Sequence, residues 1–193
     1  MPGPTLPAIR RQFSDLPDEV RNHLRKLEPL LENGELDLSL AYLFMAIEQG
    51  RYRTMKCVLI RNLRCKTSCV DELLKERSFT RKSFREAVKA TVGIDIYRGM
   101  YKPLGEAELI RDTIMHGRVA DSRIKRQAIH DCLLFIERFG AKISSKTGKN
   151  PFGNLQGLTS RIKPLTNDQS IWIIRGVLEV SGVGRLSNPG DNV

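Results

Sequence analysis

Apolar residues recur at three- and four-residue intervals along most of this chain, and no other feature limits its fold more. One such stripe lies in the segment 36–61 and consists of Leu40, Leu43, Phe44, Ile47, Met55, Val58 and Leu59. This spacing predicts a helix of about 25 residues, long enough to serve as the central helix of a bundle. Gly50 interrupts the stripe, and we expect a bend there.

Similar signals predict further helices. Leu16-Pro17-Asp18-Glu19 is typical of a helix start, and Asn33-Gly34 of a helix end. Shorter helices are expected at about 70–75 and 81–92, and another from Gly105 to Gly117. A long last helix is predicted from Ser122 to Lys142. Its apolar side comprises Ile124, Ala128, Cys132, Leu133, Ile136 and Phe139. The predicted fold is therefore all-α, an up-and-down bundle of about five helices with an irregular basic C-terminal extension.

Composition divides the chain into three regions. Residues 1–12 contain three prolines and predict a flexible arm, residues 13–143 form the bundle, and residues 144–193 form an extension packed on it with a disordered end. In the extension, Thr166 and Gln169 make a capping box that favours a helix, whereas the β-branched residues of 171–174 favour a strand. We prefer the helix. Trp172 is expected to pack the extension onto the bundle.

The net charge of +10 favours polyanionic partners, nucleic acid first and anionic membrane second. A solvated, merely solubilising positive surface is the alternative. The segment 51–66 carries six basic residues and no acidic one. We expect the residues that contact RNA to be Arg51, Arg53, Lys56, Arg61, Arg118 and Arg123. No run of apolar residues is long enough to span a membrane, and no membrane partner is expected.

The four cysteines predict reduced thiols in a cytoplasmic protein, because the N-terminus lacks the layout of a secretion signal. Cys65 and Cys69 stand four residues apart and could share a helix face. A zinc site would need two further ligands, and neither His116 nor His130 is placed to supply one. We therefore expect no metal and no cofactor.

The segment Arg111-Asp112-Thr113-Ile114-Met115-His116-Gly117 carries the most specific chemistry. Metal-independent RNA cleavage needs a base for the ribose 2′-hydroxyl, an acid for the leaving 5′-oxygen and a cation for the crowded phosphorane. Histidine titrates near neutral pH, and arginine binds phosphate through its fork of donors. Asp112 could orient either one.

This segment resembles the signature of the HEPN family of helical-bundle RNA-processing and toxin proteins. That signature is an arginine, four to six residues and a histidine, often with a polar residue directly after the arginine. The resemblance covers about Leu36 to Lys142. It implies a metal-independent endoribonuclease that acts as a homodimer and leaves a 2′,3′-cyclic phosphate. Arg111, Asp112 and His116 would be catalytic, and the setting would be phage defence or a toxin–antitoxin system, with a possible antitoxin partner.

Other interpretations remain open. Five residues of ideal helix turn through about 140°, so Arg111 and His116 do not share a face. Arg111 could be a surface ion-pair partner of Glu106 or Glu108, and His116 could interact with the helix dipole. The protein would then be a non-catalytic RNA-binding module, or a scaffold that binds another protein.

Overall fold

The computed structural model describes residues 3–75, 77, 79–93 and 101–182. Helices account for 71% of the described residues, and no strand occurs among them. These ranges contain α1 (Leu6–Ser14), α2 (Asp18–His23), α3 (Leu27–Glu32), α4 (Leu36–Arg61), α5 (Thr67–Leu74), α6 (Arg81–Val92), α7 (Tyr101–Met115), α8 (Ser122–Thr147) and α9 (Asn167–Val180). The all-α prediction is confirmed, whereas the described helices exceed the predicted count of about five.

Two local causes raise the count near the N-terminus. The predicted helix from Asp18 to Asn33 is split into α2 and α3, because Pro29 has no N–H for a bond to the preceding turn and its ring would clash there. Pro29 instead lies in the first turn of α3, where no such bond is required. Residues 6–12 of the expected arm are helical, and the Thr5 side chain caps them by accepting a hydrogen bond from the Ala8 N–H at 3.4 Å.

Gly50 does not end α4; it makes room for an aromatic ring. A Cβ at Gly50 would lie 2.3 Å from Cε1 of Phe152. Phe152 is 1% exposed and meets Phe139 edge-on, with ring centroids 6.1 Å apart. Asn150 forms the turn that presents this ring, since its Oδ1 accepts a hydrogen bond from the Phe152 N–H at 2.9 Å. The segment 150–153 is therefore part of the core.

The chain forms two compact units. Unit 1 comprises Met1–Gly50, Tyr97–Ser145 and Lys149–Asn154, and unit 2 comprises Arg51–Ile96, Lys146–Gly148 and Leu155–Val193. This division differs from the predicted bundle at 13–143 with an extension at 144–193, because residues 51–96 group with the C-terminal segment. The predicted disordered end lies outside the described residues.

Unit 1 contains α1, α2, α3, α7, most of α8 and the first half of α4. Helices α1 and α3 pack against each other. Fully buried apolar side chains of α4 and α8 lie in its core, as the two long apolar stripes predict; they include Leu40, Leu43, Ile47, Ile129, Leu133 and Ile136.

Unit 2 is built around α9, which packs against α5 and α6. The Thr166–Gln169 capping box is present, so the helix prediction is confirmed. Ser170 Oγ accepts a hydrogen bond from the Lys66 N–H at 2.9 Å and fixes the start of α9 against the segment before α5. The prediction for Trp172 is wrong, because the side chain is 78% exposed. It lies across the helix from buried Ser170 and Ile174.

None of the helices in the described part of the chain combines the length and the apolar character that crossing a bilayer requires.

Candidate functional site

The segment Arg111–Gly117, the candidate RNA-cleavage motif, lies at the C-terminal end of α7, in unit 1. Helix α7 ends at Met115, and Gly117 adopts the left-handed conformation with φ +72°. Its N–H donates to the Ile114 carbonyl at 2.9 Å, and the Arg118 N–H donates to the Thr113 carbonyl at 3.0 Å. This pair of bonds is the Schellman motif, which ends the helix before Gly117 as the sequence predicts.

Arg111 is held on three sides. Its Nε and Nη2 donate hydrogen bonds to Oδ1 of Asp112 at 2.9 and 2.6 Å, and Nη2 lies 3.5 Å from Oε1 of Glu108. The guanidinium stacks over the ring of Phe44 on α4, 4.7 Å from its centroid. A guanidinium attracted to a ring face in this way loses orientational freedom. The Arg111 side chain is 26% exposed, so part of it remains accessible to solvent.

Asp112 has a clear partner and Glu108 a weaker one. The side chain of Asp112 is 48% exposed and forms an ion pair with the neighbouring Arg111. The contact of Arg111 with Glu108 is one of the two ion pairs that the alternative interpretation of the sequence predicts. Both carboxylates offset the positive charge of Arg111, so a phosphate would compete with them for the guanidinium.

His116 is exposed and lies one residue beyond the end of α7. Its backbone N–H donates to the Asp112 carbonyl at 3.0 Å, so this main chain still follows the helix. No hydrogen bond joins its ring to a described residue. The imidazole is therefore open to solvent, whereas Arg111 is held against the body of unit 1.

A second histidine lies elsewhere in unit 1. Nδ1 of His130 is 3.3 Å from Oδ1 of Asp131, and the same oxygen accepts a hydrogen bond from Nε2 of Gln127 at 3.0 Å. Asp131 also lines a cavity of about 290 Å³ between α7 and α8. The cavity lining includes none of Arg111, Asp112 and His116, so this space is separate from the candidate site.

The six predicted RNA-contact residues fall in two groups. Four lie on α4 within unit 2 and are half-buried. Arg51 donates to the Phe79 carbonyl at 3.4 Å, burial lowers the pKa of Arg53, and Lys56 Nζ lies 2.5 Å from Oδ1 of Asp71. Arg61 is the fourth. The other group, Arg118 and Arg123 in unit 1, is exposed.

All four cysteines are buried as free thiols. Burial is the main cause that raises the pKa of Cys65 to about 11, and the neighbouring Cys69 adds to it. Burial also raises the pKa of Cys132, where the charge of Asp131 adds to the shift and that of Arg111 opposes it. The described residues contain no group of three or more His, Cys, Asp or Glu side chains arranged to hold a metal ion.

Sequence reasoning missed the role of Phe44. The residue belongs to the apolar stripe of α4, and it is 4% exposed as that pattern predicts. Its ring also supports Arg111, a residue 67 positions later in the chain. Only the packing of α7 against α4 shows this contact, since no local spacing joins the two residues.

Comparison of the chain with protein-family models, with curated proteins and with solved structures finds no match.

Proposed function

We propose that this protein is a metal-independent endoribonuclease of HEPN type that acts as a homodimer. The observation that carries the proposal is the end of α7, where Arg111 is positioned by Asp112 and Phe44 and the His116 ring is open to solvent. An oriented guanidinium and an accessible imidazole at one helix end supply a phosphate ligand and a proton carrier, and two subunits together would supply the base, the acid and the cation that this reaction needs.

In the proposed reaction the ribose 2′-oxygen forms a bond to the adjacent phosphorus, and the bond from phosphorus to the 5′-oxygen breaks. A base removes the 2′-hydroxyl proton, and an acid delivers a proton to the departing 5′-oxygen. The products carry a 2′,3′-cyclic phosphate and a 5′-hydroxyl. Arg111 stabilises the phosphorane, and the His116 rings of two subunits serve as base and acid.

Exposed apolar side chains near the motif support the proposed dimer. Leu109 and Met115 on α7 are each 67% exposed, and Val119 just beyond the helix is 95% exposed. On α4 of the same unit, Leu38 and Met45 are 56% and 49% exposed. Large apolar side chains exposed on one unit favour burial against a partner. A second subunit seated there would bring its own Arg111 and His116 to the same region.

The test is cleavage of a labelled single-stranded RNA in the presence of EDTA. We expect a cyclic phosphate product, no cutting at a 2′-deoxy position, and at least a hundredfold loss of activity in both Arg111→Ala and His116→Ala. Arg138→Ala is the matched control, because it removes an exposed cation of unit 1 on another helix. Unchanged cleavage in both motif variants would exclude the assignment.

A non-catalytic RNA-binding or protein-interaction module of the same fold is the second candidate. It is favoured by the contacts of Arg111 with two carboxylates and a ring, which a purely structural arginine would also make. The same assay separates the two candidates, since this one predicts RNA binding without cleavage. An enzyme of the first kind would suit phage defence or a toxin–antitoxin system, and a stable complex with an antitoxin protein would support the latter setting.

A further inference from the structure

Positive charge is divided very unequally between the two units. Unit 2 contains 17 basic and 8 acidic residues, a net charge of +9, whereas unit 1 contains 15 basic and 14 acidic residues, a net charge of +1. Unit 1 carries the motif at the end of α7. The attraction for polyanions therefore arises almost entirely in the unit that lacks the candidate catalytic residues.

The contrast is sharper for exposed side chains. Among the described residues, unit 2 exposes nine basic and three acidic residues, whereas unit 1 exposes nine basic and eleven acidic residues. Lys82, Arg85 and Lys89 of unit 2 follow one face of α6, at the spacing that aligns side chains along a helix. Exposed charges of this kind attract a phosphate backbone, and half-buried residues such as Lys56 contribute less.

Trp172 is the exposed aromatic side chain of this unit. It lies on the outer face of α9, opposite the buried Ser170, Ile174 and Leu178. Arg175 follows one turn later and is exposed. A Cβ at Gly176 would meet nothing within 4 Å, so the surface beside the indole is low and open.

The helix that carries Trp172 is firmly placed. Its first turn is closed by the Thr166–Gln169 capping box, and Nζ of Lys66 donates to Oδ1 of Asn167 at 2.9 Å. Asp168 and Glu179 are also exposed on α9. Because Arg175 is the single basic residue of α9, the positive charge of unit 2 comes from its other segments and not from this helix.

We propose that unit 2 carries a binding surface for single-stranded RNA, on which a base stacks on Trp172 while exposed lysines and arginines contact the phosphates. Stacking on an aromatic side chain tolerates any base, since every base has a π face. Charge complementarity favours this occupant over a protein, because the unit exposes three times as many basic as acidic residues. The choice of RNA rests on the proposed function; the surface itself does not involve Arg111 or His116.

The chain contains one tryptophan, so its fluorescence reports directly on this surface. The experiment titrates the full chain with a 2′-deoxy-substituted 12-mer that cannot be cleaved by 2′-hydroxyl attack. We expect quenching of the Trp172 emission as the oligonucleotide saturates. A fluorescently labelled copy of the same 12-mer should bind Trp172→Ala about 5- to 100-fold more weakly, and Trp172→Phe close to normally.

Two further variants separate the charge of unit 2 from the charge of the rest of the chain. Arg138→Ala removes an exposed cation of unit 1 and should bind the 12-mer as the unchanged protein does. Lys82→Glu combined with Lys89→Glu should weaken binding and flatten its dependence on salt concentration, because fewer counterions are released. If the unchanged protein does not cleave RNA while its Trp172 emission is still quenched by the 12-mer, only the proposed enzyme is disproved.

Three results would overturn the proposal for unit 2. The first is unchanged Trp172 emission at saturating 12-mer. The second is equal affinity of the unchanged protein and Trp172→Ala. The third is conversion of a dimer to a monomer by Trp172→Ala alone, since that outcome would assign the face to a second copy of the chain.

Discussion

Arg111 donates two hydrogen bonds to a single carboxylate oxygen of Asp112, from Nε at 2.9 Å and from Nη2 at 2.6 Å. Asp112→Asn would keep an acceptor beside the guanidinium and remove the competing negative charge. Because the pair is partly exposed, we expect a modest change: the KM for RNA should fall about two- to fivefold with kcat nearly unchanged. Steady-state kinetics on a single-site RNA measures both constants, and an increase in KM would contradict the competition.

The stack of Arg111 on Phe44 should contribute to stability as well as to positioning. Arg111→Lys keeps the charge but loses the planar fork and weakens the ring contact, so the free energy of unfolding should fall by about 0.5–1 kcal/mol. Urea denaturation followed by circular dichroism measures this. Arg138→Lys, at an exposed position of α8, should change it by less than about 0.5 kcal/mol. Equal effects of the two substitutions would argue against the stack.

Gly117 and Gly34 form a matched pair of helix ends. Both adopt φ +72°, both close a Schellman motif, and a Cβ at either would meet nothing within 4 Å. Alanine at either position should therefore cost about 1–2 kcal/mol of unfolding free energy through backbone strain alone. Only Gly117→Ala should also reduce RNA cleavage, because it disturbs the residue next to His116. Equal cleavage by the two variants would show that this helix end does not position His116.

Alanine should lower the stability of the protein at Gly50 and raise it at Gly176. A Cβ at Gly50 would lie 2.3 Å from the Phe152 ring, and overpacking of this kind typically costs about 1–3 kcal/mol. Gly176 is exposed within α9 with open space around it, so alanine should stabilise the protein by about 0.5–1 kcal/mol. Thermal unfolding of both variants measures this: the unfolding temperature should fall for Gly50→Ala and rise for Gly176→Ala.

The buried thiols predict a loss of stability at alkaline pH. Burial raises the pKa of Cys65 from an ordinary value near 9 to about 11, so the unfolded chain releases this proton first. The free energy of unfolding is therefore unaffected by this thiol below pH 9. It falls as pH rises from 9 to 11, with a slope of up to about 1.4 kcal/mol per pH unit for each such group. Chemical denaturation between pH 8 and 11 should show this decline, and Cys65→Ala should reduce its steepness.

Features set by neighbouring residues could be predicted from the sequence. Gly117 marks the end of α7, and Thr166 with Gln169 marks the start of α9, because each signal and its effect lie within one helical turn. The support of Arg111 by Phe44 depends on residues far apart in the chain, and no local pattern contains it. The surroundings of the basic residues in 51–66 could not be predicted for a related reason, since they depend on the packing of unit 2, which partly buries Arg53 and pairs Lys56 with Asp71.

Helix α4 runs without interruption from Leu36 to Arg61, and the boundary between the two units falls within it, after Gly50. Each unit is also assembled from three separate stretches of chain. No single cut in the gene could therefore release either unit whole. Exchange of the basic, tryptophan-bearing unit between related genes, without the Arg111–His116 unit, would therefore require several junctions, one of them inside α4.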